Sequence, residues 1–258
     1  MARQINAYCR SFVSSTTYVM EQLPGYISIV FIITTLISVA LLIKVAKYSK
    51  IAIIGSIIWL TLQGFLGIVG FYTVTNNVPP RFTLLLAPPL VFIILNFLTK
   101  SGRAWMNGID IKILTLFHTA RIPVELTLYW LFVHKMVPQV MTFEGRNFDI
   151  LCGLTAPFIY YFGYIKNSLS KNVLLAWNIV CLLLLINIVV TAILSAPFPF
   201  QKLAFNQPNI ALFYFPFIWL PCCIVPIAFF AHLVTIRQLI KDRKWKKVLL
   251  TKIKSSSL

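Results

Sequence analysis

Six stretches of this chain run for 16 to 34 residues without a charged side chain. A helix needs about 20 mostly apolar residues to cross the hydrocarbon of a bilayer, so the gaps between charges mark where the chain can pass through lipid. They are Gln22 to Ile43, Ile51 to Pro80, Phe82 to Thr99, Ile150 to Ile165, Asn172 to Gln201 and Leu203 to Ile236. A seventh segment, Ile113 to Lys135, is equally apolar apart from His118, Arg121, Glu125 and His134. In lipid every backbone polar group must be satisfied within its own segment, and these runs are about twice the length of a barrel strand. The expected fold is therefore all-α, a polytopic integral membrane helix bundle of seven transmembrane helices.

Composition agrees with this and excludes the alternatives. The chain is 59% hydrophobic and 11% charged, against about 45 to 50% and about 25% for soluble domains. Five cysteines in 258 residues make no disulfide framework. Asn206, Gln207, Pro208 and Asn209 mark the start of the longest gap as loop. The expected spans lie near 26–43, 51–75, 82–99, 113–135, 148–165, 172–195 and 212–236. Residues 1–236 form one transmembrane domain and 237–258 a polybasic tail.

Lysine and arginine stay preferentially on the cytoplasmic side of a membrane. With the tail inside, 16 of the 23 basic residues fall on the inner segments and six on the outer ones, leaving Arg121 within a helix. The N-terminus is expected outside and the C-terminus in the cytoplasm. A cleaved leader is not expected, because Tyr26 to Ile43 is long for a signal core and Lys44 and Lys47 follow it as a stop signal.

The formal net charge of +17 does not point to nucleic acid, since eight basic residues sit in the last 22 positions, directly after a span. Anionic lipids are the expected partner of this tail, each Lys or Arg near such a leaflet contributing about 1 kcal/mol. No Asn-x-Ser/Thr sequon occurs, and the expected location is a cell membrane, the inner membrane of a bacterium.

Charges inside an apolar span cost about 2.5 to 3.5 kcal/mol each on insertion scales, so they face a bundle interior or a wet cavity and are candidates for function. At about 100° per residue, His118, Arg121, Glu125, Tyr129 and Phe132 share one narrow stripe of the fourth span. Arg121 and Glu125, at i and i+4, can also pair with each other. Pro123 between them removes a backbone donor and favours a break in the helix. The loop before the fifth span carries Glu144, Arg146 and Asp149. They form either a gate or lip above the stripe, or, with Asn147, the cap of the next helix.

His118 lies six residues after Lys112 and His232 five before Arg237, which puts both imidazoles at one depth. A bis-histidine haem is the one cofactor this arrangement admits; otherwise no cofactor and no metal is expected. Cys222 and Cys223, amid Pro216, Pro221 and Pro226, read as small packing residues. Cys9 and Cys152 both map to the outer side, where one disulfide is conceivable, while Cys181 has no evident partner. Asn178, Asn187 and Gln63 are further amides expected to face the interior.

No HExxH, GxSxG, Walker A, GxGxxG or CxxC sequence is present. The leading expectation is binding or transport of a small polar or amphipathic molecule. Arg121 would hold an anionic group and Glu125 would tune its charge or exchange a proton, with His118 and Tyr129 extending the path. A membrane enzyme acting on a lipid or isoprenoid through Glu144 or Asp149, and an assembly subunit with no ligand, are the alternatives.

Overall fold

The structure, a computed structural model, describes residues 23–75 and 80–256, with side chains through Lys241. Cys9 and the tail's basic side chains beyond Lys241 lie outside the described residues. Among the described residues every regular element is helical. They are α1 (Gly25–Val45), α2 (Lys50–Ile68), α3 (Thr83–Leu98), α4 (Lys100–Asn107), α5 (Ile111–Phe117), α6 (Arg121–Val133), α7 (Ile150–Phe158), α8 (Lys171–Leu194) and α9 (Val225–Ser256). Four segments are long and apolar enough to cross a membrane: Gly25–Val45, Lys50–Ile68, Lys171–Leu194 and Leu220–Lys241. A fifth is present if α3 and α4, bent by 89° at their junction, count as one.

The remaining two expected spans are interrupted. A 3-10 turn, His118–Ala120, separates α5 from α6 just ahead of Pro123, where the missing proline donor weakens the α pattern. Segment Ile150–Ile165 is 16 residues, α7 followed by a π-helical Ile159–Ile165, about 24 Å at 1.5 Å per residue. The sharp α3–α4 bend has a local cause. Thr99 adopts an extended backbone, and its hydroxyl accepts from the Gly102 amide at 3.1 Å, so it caps a new helix.

Two connections fold into the bundle. Met136, Val137, Met141, Thr142 and Asn147, in the loop from α6 to α7, are buried, as are Ile210, Ala211, Leu212 and Phe213 after α8. Buried loop backbone has to be paired. The amides of Ile210 and Ala211 both donate to the Met136 carbonyl at 3.1 Å, and Gln207 donates to the carbonyls of Val137 at 2.6 Å and Phe132 at 3.0 Å. Gly145 makes the first loop's turn possible, since a Cβ there would lie 2.2 Å from the Gln139 carbonyl oxygen.

Residues Leu220–Ile224 form a π-helical entry into α9, with Pro221 inside it and Pro226 just beyond its end. Pro226 cannot give the Cys222 carbonyl its helical hydrogen bond, and the Trp59 indole donates to that carbonyl at 2.9 Å. Trp219 returns a bond to the Leu60 carbonyl at 3.0 Å, so α2 is tied to this segment at two points. The apolar core lies between these elements, with Phe31, Leu85, Leu128, Phe213 and Phe217 almost wholly buried.

Candidate functional site

Ion pairing inside the fold starts from Arg121 at the head of α6. The Nη1 group of Arg121 donates to Asp149 Oδ1 in a buried ion pair. Its Nη2 lies 3.0 Å from His232 Nε2 on α9. A guanidinium only donates, so Nε2 is the acceptor and the His232 proton sits on Nδ1. That Nδ1 is 3.0 Å from Asn178 Oδ1 on α8, and the Asn178 amide nitrogen donates to the Leu174 carbonyl at 2.8 Å. The assignment is consistent throughout and makes His232 a neutral imidazole.

Glu125, one turn along α6, has a different partner. Asn147 Nδ2 donates to Glu125 Oε2 at 2.6 Å and to the Met141 carbonyl at 3.0 Å. Asn147 Oδ1 accepts from the Asp149 backbone amide at 3.0 Å. One buried asparagine thus links the Glu125 carboxylate to the Asp149 backbone. Among the described residues the Arg121–Asp149 contact is the ion pair, and Glu125 makes none.

The approach of α7 to α6 depends on Gly153. A Cβ at that position would stand 3.0 Å from Ile122 Cγ1, 3.1 Å from the Ile122 amide nitrogen and 3.2 Å from Arg121 Cβ. Having no side chain there brings the start of α7, with Asp149 and Cys152, onto the start of α6.

A cavity of about 60 Å³ ends on this network. Arg121, Glu125 and Asp149 line it, and every other lining side chain is apolar, including Leu128, Met141, Leu185, Ile188, Leu212 and Ala228. Its walls come from α3, α6, α8, both buried loops and the entry into α9. Charged groups that would be expensive in an apolar interior are here paired or hydrogen-bonded.

On the other side of Arg121, the ring of His118 stacks on that of His232, with centroids 3.9 Å apart and planes 12° from parallel. Trp177 packs edge-on against both. Neither nitrogen of the buried His118 has a hydrogen-bond partner, an arrangement that asks for an explanation in any folded protein. Cys152 is a free, fully buried thiol close by. One ligand atom each from His118, Cys152 and His232 lies within 4.8 Å of the others.

The sequence reading and the structure agree on some placements and part on others. Arg121, Glu125, His118 and Asp149 come together. Asp149 stands at the N-cap position of α7, yet its side chain makes no cap hydrogen bond and goes to Arg121 instead. Glu144 and Arg146 are exposed and do not line the cavity, so the expected lip of three charges contributes only Asp149. Tyr129 is half-buried and stacks on Phe143 at 5.0 Å, away from the cavity lining. The i,i+4 pairing of Arg121 with Glu125 gives way to Asp149, because the first buried loop brings that carboxylate back beside α6. Asn187 is exposed and donates to the Arg146 carbonyl at 3.0 Å, whereas Asn178 and Gln63 are buried. His118 and His232 do share a depth, but face-to-face rings do not present their nitrogens to opposite sides of a porphyrin. Cys152 faces inward beside the histidines and is hydrogen-bonded to Cys181, for which the sequence offered no partner. Asn147, expected as a cap, instead joins Glu125 to the Asp149 backbone, and its place two residues before Asp149 is the signal in the sequence.

Residues 79–240 match the family model described as Domain of unknown function (DUF8737). The chain belongs to that family. The matched stretch carries every residue of the network described above, from Arg121 to His232, together with the cavity lining, while α1 and α2 precede it. No curated protein and no solved structure matches the chain.

Proposed function

We propose that this chain is a multi-pass membrane protein that binds, and by extension transports, a small amphipathic molecule in the cavity beside Arg121. One observation carries the reading: a single cavity has apolar walls over most of its surface and ends on Arg121, Glu125 and Asp149. Such a site suits a ligand with an apolar body and a polar head. Arg121 already spends Nη1 on Asp149 and Nη2 on His232, so an anionic head would have to displace a carboxylate. Glu125, with no ion pair of its own, favours a head that donates hydrogen bonds, such as an amine or hydroxyl. The enzyme reading gains nothing from the arrangement, because Glu144 is exposed and Asp149 is held by Arg121.

The membrane frame goes with it. Seven crossings arise if the broken α5–α6 segment, the bent α3–α4 pair and Ile150–Ile165 each pass through the bilayer beside the four long helices. Irregular backbone at that depth is tolerated where protein covers it or a cavity lies beside it. The basic bias puts the N-terminus outside and the C-terminus in the cytoplasm, with the tail on anionic lipid and a bacterial inner membrane as the location.

The test is native mass spectrometry of the detergent-purified protein beside Glu125→Gln. A defined extra mass on the wild type, lost from a folded variant, supports the site. The same mass retained by folded Glu125→Gln, and by folded Arg121→Ala, places the ligand elsewhere and rejects the reading.

A further inference from the structure

His118, Cys152 and His232 lie outside the cavity lining, beyond Arg121, and the ligand-binding reading makes no use of them. They come from three separate elements: the 3-10 turn before α6, the first turns of α7, and α9. All three are buried, at 0% exposure each, and their ligand atoms lie within 4.8 Å of one another. An imidazole with both nitrogens buried and unpartnered is a donor set in want of an acceptor. We propose that these three side chains bind one copper(I) ion.

The donor chemistry selects the metal. Thiolate and imidazole ligands suit soft d10 ions, of which copper(I) and zinc(II) are the common ones. Zinc completes a tetrahedron with a fourth protein ligand, or with water in an open site, whereas the three side chains here are wholly buried and, among the described residues, only Cys181, hydrogen-bonded to Cys152, stands beside them. A Cys152 thiolate cancels a monovalent ion, so copper(I) on these three ligands is neutral in the apolar interior.

His232 is already oriented for the role. Its Nδ1–H is held by Asn178 Oδ1 at 3.0 Å, the outer hydrogen bond that fixes the tautomer of metal-binding histidines. This leaves the Nε2 lone pair to bind, at present facing Arg121 Nη2. Metal binding turns His232 out of its stack with His118 and frees Nη2. The balance is simple: the Cys152 Sγ–H bond breaks, an Sγ–Cu(I) bond forms, and one proton leaves to solvent with no change of oxidation state.

The experiment titrates the reduced, full-length protein in detergent with copper(I) under anaerobic conditions, in competition with bicinchoninate. One ion per chain is expected, with an X-ray absorption spectrum showing one sulfur and imidazole nitrogen around copper. Cys152→Ser and His118→Phe are each expected to weaken binding at least a hundredfold, and Cys222→Ala with Cys223→Ala to leave it unchanged. No uptake, an all-sulfur shell, tighter uptake of zinc(II) than of copper(I), or undiminished binding by folded Cys152→Ser would each overturn the assignment. The spectrum of the wild type decides the matter without the variants, should they not fold.

Discussion

Arg121 and Asp149, 28 residues apart in sequence, form a buried ion pair that joins the first turn of α6 to the start of α7. The pair fills a wall of the cavity and holds the α6–α7 corner together. Removing one partner of a buried pair leaves a charge with nothing to meet it, at a cost of about 3 to 5 kcal/mol, whereas replacing both by apolar groups can be close to neutral. Asp149→Leu is therefore expected to lower the unfolding free energy by about 3 to 5 kcal/mol. Adding Arg121→Met should recover most of that loss. Denaturant unfolding of the two single variants and the double in detergent gives the coupling energy. Simple addition of the two single losses would mean the pair contributes nothing as a pair.

Asn147 carries more of the site than its place in a loop suggests. Its amide serves Glu125, the Met141 carbonyl and the Asp149 amide at once. Asn147→Ala leaves buried groups unsatisfied and should cost about 1 to 3 kcal/mol. Asn147→Asp keeps the shape but sets a second carboxylate against Glu125 in place of a donor. It should be worse than alanine at neutral pH. Its deficit relative to the wild type should shrink as pH falls, because protonating the introduced carboxylate removes the repulsion and restores a donor. Thermal unfolding of the three proteins between pH 5 and 8 checks the order and the sign; a deficit that grows on acidification would refute the account.

How far the sequence led depends on which physical term was local. The helices and the residues worth watching were legible because charge is rare in this chain, and Arg121, Glu125 and Asp149 each stand at or inside an apolar run. The common depth of His118 and His232 followed from counting along helices from Lys112 and Arg237, and their rings stack at 3.9 Å. The choice of partner was not legible. Arg121 had Glu125 four residues away and took Asp149 instead, a matter of how the α6–α7 loop folds back, which depends on long-range burial of Met136, Val137 and Asn147. The same return leaves Glu144 and Arg146 outside, although they sit within five residues of Asp149. The break before α6 was legible from Pro123, whereas nothing in the run ending at Thr99 announced that a second helix starts there at 89° to the first.

Gly153 sets how closely the corner closes. A side chain there meets Ile122 and Arg121 at 3.0 to 3.2 Å, and one of those contacts is backbone. Gly153→Val should cost about 1 to 3 kcal/mol as overpacking, with Gly153→Ala costing less. Because the Ile122 amide cannot move aside, Ile122→Ala should relieve only part of the loss. Unfolding measurements on the three variants test this, and full rescue by Ile122→Ala would show that the side chain alone sets the spacing.

Trp59 and Pro226 divide one task between them. Proline withholds the N–H that an α-helix would direct to the Cys222 carbonyl, and the indole of Trp59 donates to that carbonyl from α2 at 2.9 Å. Trp59→Phe removes the donor while keeping an aromatic ring, and a carbonyl left unsatisfied in the interior costs about 1 to 3 kcal/mol. Loss of ring area adds to this, but equally in any background. Pro226→Ala supplies a backbone N–H that can reach Cys222, so the same Trp59→Phe change should cost about 1 kcal/mol less in that background, the size of one net hydrogen bond. A double-mutant cycle in detergent isolates that difference from the packing loss. Equal costs in both backgrounds would show that the carbonyl is served by another group and that the indole bond is incidental to holding α2 against the entry into α9.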